Sequence, residues 1–246
     1  MKISIITCTY NSQDHVEDSI KSFLAQDYAD KELVVIDGAS KDKTLDILES
    51  YKEHIAVIKS EEDTGIYNAM NKGLDLISGE VFGFLHSDDV YASESVLSKV
   101  ANEFIEGQTQ VVYGDLIYTD ASLSKTIRKW TSGSFKRSLF NNGWMPPHPT
   151  LFLKTDLLQQ GGKFNEAFRI SGDYEFILRY LCKMKLMVKY IPETLVKMRV
   201  GGESNQSLKN RLKANAEDRK AWRINGMNPF PATVFKPLRK ILQFVR

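Results

Sequence analysis

Four short apolar runs, ISII at 3–6, LVVI at 33–36, IAVI at 55–58 and VFGFL at 81–85, recur in the first part of the chain, each bounded by polar or glycine-containing sequence. Runs this short and this rich in β-branched and aromatic residues fit strands buried on both faces. Between them Val16, Ile20, Phe23 and Leu24 fall at helical spacing behind Ser12, and Leu45, Leu48 and Tyr51 do so behind Ser40; a third helix fits 67–77. The two serines are suited to capping those helices. Strands that alternate with helices constrain the chain to an α/β fold, with a mostly parallel sheet flanked by helices on both faces. Ligands of such sheets bind beyond the carboxyl ends of the strands. That rule selects residues 7–12, 37–40, 63–67 and 87–89, where polar side chains collect.

Further along, a helix is expected near 95–105 and QVVYGDLIYT restarts strand character, while 130–149 is less regular. GWMPPHPTLFL resumes order, GDYEFILRYLCK reads as a helix and MVKYIPETLVKMRV as an extended segment. With no internal repeat or low-complexity linker, 246 residues suit a single compact unit with two lobes, 1–115 and 116–225, followed by a tail at 226–246. A formal net charge of +2, with no long basic block in the main body, argues against a nucleic-acid partner.

Cys8 and Cys182 stand in no metal-like spacing, and MKISIITCTYN lacks the long apolar core of a signal peptide. No apolar stretch approaches the ~18 residues of a membrane span, so a cytoplasmic location is expected. The segment TVFKPLRKILQFVR at 233–246 puts Val234, Phe235, Leu238, Ile241, Leu242 and Val245 on one helical face, with basic residues elsewhere and no acidic one. It suits an anionic membrane interface, placing the protein at the inner face of the plasma membrane, and equally suits packing on its own protein or a partner.

In GFLHSDD a buried strand ends on adjacent carboxylates, Asp88 and Asp89. Two neighbouring anions need either solvent, as in a turn that caps the next helix, or a compensating cation. The motifs ITCTYNS, VVIDGASKDKT, EDTGIYNAMNKGL, GFLHSDD and SGDYEF follow one another in the order used by family 2 glycosyltransferases, and over residues 2–180 the chain resembles that family. The resemblance implies a GT-A fold, a nucleotide-sugar donor over the first half, an acceptor on the second half, and inversion at the anomeric carbon. It sets Thr9, Tyr10 and Asn11 beside the nucleoside, Asp37 on the base, Asp63 with Lys72 near the base or diphosphate, Asp88 on the ribose side and Asp89 on a divalent cation, Mn²⁺ or Mg²⁺. Two positions depart from the family's usual pattern: Cys8, where proline is common, and Gly38, where a second aspartate is common.

Glycosyl transfer builds negative charge on the departing diphosphate, which a cation held by hard oxygen ligands neutralises. The acceptor hydroxyl needs a base on the opposite face. Asp173 in SGDYEF is the candidate, because Gly172 allows close approach and a helix amino terminus favours a carboxylate. His148 in PPHPT and Arg199 beside VGGES are assigned to the acceptor side, Arg199 within reach of a diphosphate oxygen. The acceptor is then a saccharide hydroxyl, polyprenol-linked if the tail meets a membrane, in the synthesis of cell-surface polysaccharide or lipopolysaccharide. CTYNSQD has neither glycine nor base, which argues against a sugar-nucleotide pyrophosphorylase, and no G-x-G-x-x-G follows the first strand as a dinucleotide-binding dehydrogenase would require. A non-catalytic nucleotide-sugar or saccharide binding protein on the same fold stays open, since fold alone does not establish activity.

Overall fold

Strand β1 (Ile3–Thr9) is buried at every position, and that sets the layering of the molecule. Its neighbours pair in parallel: β2 (Lys31–Asp37) and β4 (Val81–Phe84) lie on either side, and β3 (Val57–Ser60) pairs with β2. The crossovers are α1 (Val16–Leu24), α2 (Thr44–Ser50) and α3 (Ile66–Leu74). In this computed structural model residues 1–200 and 208–230 are described; the tail segment 233–246 lies outside them.

The chain continues through β5 (Asp89–Tyr91), α4 (Val96–Ile105), β6 (Val111–Thr119), β7 (Thr126–Trp130), β8 (Phe152–Lys154), α5 (Leu157–Gly161), α6 (Gly172–Leu178), β9 (Val188–Arg199) and α7 (Leu208–Ile224). All nine strands of the described residues join one sheet in the order β3-β2-β1-β4-β8-β6-β9-β5, with β7 paired to β6. The expected α/β class and helix-flanked sheet are therefore what the chain adopts. Parallel pairing holds from β3 to β4, whereas β8 turns antiparallel to both β4 and β6. The irregular stretch before β8 resolves into short 3-10 turns at Arg137–Asn142 and His148–Thr150.

Alternation along the strands divides the core. Ile3, Ile5, Leu33 and Val35 pack with Ile20, Phe23, Leu48 and Val100 from α1, α2 and α4. Ile6, Cys8, Val34 and Ile36 pack on the other face with Met70, Leu74, Phe176 and Trp222 from α3, α6 and α7. Each fully buried aliphatic side chain contributes roughly 1.5–3 kcal/mol, so the sheet is held from both sides. Among the described residues no helix is long and apolar enough to cross a membrane.

The capping expectation fails at both serines. Helix α1 begins after His15 and α2 after Lys43. Ser12 Oγ instead meets Ser87 Oγ at 2.9 Å, and Ser40 Oγ donates to Asp37 Oδ1 at 2.5 Å. Ser40 Oγ also accepts from the Asn11 amide, so both hydroxyls join loops of the sheet's carboxyl edge.

At the opposite edge Glu32, 8% exposed, accepts from Ser4 Oγ at 2.5 Å, the Ser78 amide at 2.6 Å and Ser78 Oγ at 2.7 Å, and pairs with Lys2 at 2.6 Å. Burial opposes the charge, but these donors together pull the carboxyl down to about 2 from an ordinary 4.5. A depressed folded-state pKa adds stability above the unfolded pKa that is lost as pH falls through the folded one. Glu32→Gln is therefore expected to lower the thermal midpoint at neutral pH, with the gap to wild type closing between pH 4.5 and about 2. A gap independent of pH would mean the charge is not what is being held.

Candidate active site

Parallel pairing sends the β1, β2 and β4 exits to one edge of the sheet: Thr9 ends β1 opposite Asp37, while β4 ends at Phe84 opposite Ile6, three residues short of the β1 end. Their exit loops enclose a cleft of about 740 Å³ whose lining includes Thr9, Tyr10, Lys41, Asp63, His86 and Asp88. That volume suits a small-molecule ligand or cofactor. Tyr10 is 62% exposed, an aromatic ring left in solvent at the cleft.

Two loops of this rim are strained into shape. Asn11 and Ala39 both take positive φ, 47° and 59°. Asparagine tolerates that region, whereas for alanine the left-handed conformation costs about 1–2 kcal/mol. The Asn11 amide donates to Ser40 Oγ at 2.8 Å and Asn11 Oδ1 accepts from the Lys41 amide at 2.9 Å, which locks the β1 and β2 exits together. Gly38 sits close beside them, and a Cβ there would stand 2.6 Å from Asp63 Oδ2 and displace that carboxylate. The departure at position 38 thus makes room for Asp63, whose Oδ1 accepts from the Gly65 amide at 2.7 Å.

Of the residues singled out in the sequence, Thr9, Tyr10, Asp63 and Asp88 line the cleft. Four others are placed differently. Asp37 is fully buried and accepts from the Ser40 amide, Ser40 Oγ and Ser60 Oγ, the last at 2.6 Å; it ties the β2 exit to β3 and does not face the cleft. Asn11 joins the loops as described above. Lys72 donates to the Glu62 carbonyl at 2.8 Å and pairs with Glu61 at 2.9 Å, so it braces the cleft wall from behind. Arg199 is 5% exposed and wholly engaged: Nε donates to the Ala121 carbonyl at 2.8 Å, Nη1 to the Asp88 carbonyl at 2.7 Å and Nη2 to Asp18 Oδ2 at 2.5 Å. It clamps the Ser87–Asp88–Asp89 turn and is not among the residues that line the cleft.

Asp89 opens β5 and is fully buried, with both carboxylate oxygens lacking a hydrogen-bond partner among the described residues. Burial, and then the charge of Asp88, push its pKa well above the ordinary carboxylate range, against the opposing pull of Arg199. An orphaned carboxylate beside a second one is the environment that a divalent cation would relieve.

Asp173 stands in the first turn of α6. Gly172 lets that turn close on α3, since a Cβ there would lie 2.7 Å from the Tyr67 ring. Tyr67 Oη donates to the Ile170 carbonyl at 2.8 Å and approaches Asp173 Oδ1 at 3.3 Å. His148 Nδ1 lies 3.4 Å from Asp173 Oδ2, and its Nε2 meets His86 Nε2 at 2.6 Å. Burial lowers the pKa of His148 to about 4. Burial and then the neighbouring His148 do the same for His86, so both imidazoles are held neutral. His86 and Lys41 were not singled out from the sequence, although both fall inside the quoted motifs, GFLHSDD and VVIDGASKDKT.

Residues 4–171 match the model of the family described as Glycosyl transferase family 2. The chain belongs to this family. It is 31% identical over 193 residues to a PGL/p-HBAD biosynthesis glycosyltransferase of Mycobacterium tuberculosis strain H37Ra, covering 76% of this chain and 73% of that one. An uncharacterized glycosyltransferase of Haemophilus influenzae is 26% identical over 224 residues, 85% of this chain and 68% of the other. Among solved structures, S. aureus TarS superposes with a TM-score of 0.68 at 20% identity; 93% of this chain is covered, but only 44% of TarS. TarS 1–349 in complex with UDP-GlcNAc gives a TM-score of 0.67 at 19% identity, over 100% of this chain and 79% of that one. The mannosyltransferase PcManGT from Pyrobaculum calidifontis, in complex with GDP-Man and Mn²⁺, gives 0.68 at 18% identity over 98% and 69% of the two chains. This family 2 glycosyltransferase shares the GT-A fold of those structures, and it is an enzyme of the transferase class.

The clamp on the acidic turn has a measurable consequence. Arg199→Lys removes the planar fork that reaches Ala121, Asp88 and Asp18 at once. Losing such charge-assisted bonds is expected to cost about 2 kcal/mol, read as a lower urea midpoint at unchanged slope. An unchanged midpoint would show that the turn stands without the clamp.

Proposed function

We propose that the chain is an inverting glycosyltransferase that moves a sugar from a nucleotide diphosphate to a saccharide hydroxyl, with a divalent cation at the Asp88–Asp89 turn. The observation that carries this reading is the buried, unpartnered Asp89 carboxylate beside Asp88 at the rim of the cleft. Among the described residues no group of three or more His, Cys, Asp or Glu forms an ion site by itself. That suits an ion completed by the donor's own phosphates, since Mg²⁺ is commonly bound through one or two carboxylates plus substrate phosphates. Asp88 and Asp89 would hold it, and when bound it neutralises the charge that grows on the departing diphosphate.

In this reading Tyr10 offers its exposed ring to the nucleoside, and Asp63, seated over Gly38, accepts a hydrogen bond from the base or ribose. Lys41 supplies the cleft's cation for the diphosphate. Asp173 accepts the proton of the attacking hydroxyl. UDP-GlcNAc on TarS and GDP-Man with Mn²⁺ on PcManGT, bound to the same fold, support a nucleotide-sugar donor and a divalent cation here. The composition of 233–246 supports a polyprenol-linked saccharide acceptor met at the inner face of the plasma membrane, in cell-surface polysaccharide synthesis.

A panel of UDP-, GDP- and dTDP-sugars, each with Mn²⁺, with Mg²⁺ and with chelator, tests the reading by thermal stabilisation. One donor is expected to raise the midpoint only with the metal, and Asp89→Asn to abolish that dependence. Asp173→Asn should keep the stabilisation and lower turnover about a hundredfold. Stabilisation without turnover in the wild type would instead describe a binding protein, and no stabilisation by any donor would remove the donor site.

A further inference from the structure

His86, His148 and Asp173 come from three separate parts of the chain and meet in a line. The His86 and His148 ring centroids are 4.9 Å apart, while their Nε2 atoms are 2.6 Å apart. The first distance exceeds the second by about two ring radii, so the contact runs along the line joining the rings. That is the direction in which an imidazole N–H points, and the hydrogen bond is well aligned. Two rings facing each other this way hold one proton between them, because two N–H groups would collide and two bare nitrogens would repel.

The carboxylate fixes which ring gives that proton. Ionised Asp173 offers only negative charge and acceptor sites, so that charge favours a proton on His148 Nδ1, across a 3.4 Å approach to Asp173 Oδ2 that is longer than an ordinary hydrogen bond. A neutral His148 then has a bare Nε2, which accepts from His86 Nε2–H. The donors therefore run one way, from His86 at the cleft through His148 to the carboxylate.

Both rings are mounted on fixed backbone. His86 follows β4, where its carbonyl accepts from Ser19 Oγ at 3.1 Å and the Asp89 amide at 3.0 Å. His148 is flanked by Pro147 and Pro149 in a turn closed by the Thr150 amide on the Pro147 carbonyl at 3.0 Å. Thr150, fully buried, anchors that turn to the sheet through the Gly114 carbonyl at 3.1 Å.

We propose that His148 is a positioning residue, which orients the Asp173 carboxylate through Nδ1–H while its Nε2 is held by His86, so that the base is set relative to the donor cleft. This rests on the function proposed above. His148 touches neither donor nor acceptor in this assignment; it acts through Asp173. The bridge places base and cleft in one rigid frame, and misplacing a reacting group by about 1 Å can cost a hundredfold in rate.

Two side-chain amides separate the two halves of the bridge. Asparagine sets an N–H near the place of Nδ1 and keeps the Asp173 contact, whereas glutamine reaches the place of Nε2 and keeps only the His86 contact. Nucleotide release from the stabilising donor, with water as acceptor, gives the rates. His148→Ala is expected to lower kcat about a hundredfold with donor KM unchanged. His148→Asn should recover at least tenfold of that loss, and His148→Gln should not. Nitrogen NMR of the histidine-labelled full chain should find His148 protonated on Nδ1 and His86 on Nε2.

Equal rates for the asparagine and glutamine variants, a loss in KM in place of kcat, or the opposite tautomers would overturn the proposal. A wild-type chain that releases no nucleotide from any donor would overturn the proposed function. The tautomers then decide the bridge alone, the expected pattern supporting it and the opposite pattern removing it.

Discussion

Parallel pairing of β1 with both β2 and β4 is the constraint on which the rest depends. It sends three chain exits to one edge of the sheet, those of β1 and β2 level in register, and brings their polar side chains together. The buried strands themselves carry almost no chemistry. Ile3, Ile5, Val34 and Val35 are wholly inside, and what they provide is a rigid floor gripped by helices on both faces. Loops on such a floor can be strained without unfolding it, which is how Ala39 is kept at positive φ.

Charge at that edge is organised in layers. Asp88 faces the cleft, Asp89 lies buried behind it without a partner, and Arg199 grips the turn through the Asp88 carbonyl. Arg199 shares its charge with Asp18, and its opposing pull on Asp89 is outweighed by burial and the charge of Asp88. The acidic pair is therefore left incompletely compensated by protein, as a site that takes up a cation with its ligand must be. On the far side Asp173 is approached by neutral donors, Tyr67 and His148.

The β-branched runs made the first four strands and the helices between them readable, because burial on both faces leaves a strong local pattern in β1, β2 and β4; the edge strand β3 is only half-buried and starts two residues later than the run IAVI. The cleft residues followed from strand-end position, and Tyr10, Asp63 and Asp88 lie where that rule sends them. What sequence did not reveal is every role fixed by a partner far along the chain. Asp37 reads as a ligand-facing carboxylate until Ser60 arrives from β3. Arg199 reads as free until Asp18 reaches it from α1. Ser12 and Ser40 read as helix caps until Ser87 and the Asn11 amide engage their hydroxyls. His86 showed no sign of importance, since its meaning lies in His148, which only the folded sheet brings to it.

The central claim is that the carboxyl edge holds a nucleotide diphosphate and a cation at the Ser87–Asp88–Asp89 turn. Crystals soaked with Mn²⁺ and the nucleotide diphosphate of the stabilising donor, measured at the manganese absorption edge, test it directly. A single anomalous peak bridging the diphosphate and the carboxylates of Asp88 or Asp89 is the result this account predicts. A nucleotide bound in that cleft with no peak at the turn, or a peak elsewhere in the molecule, would contradict it.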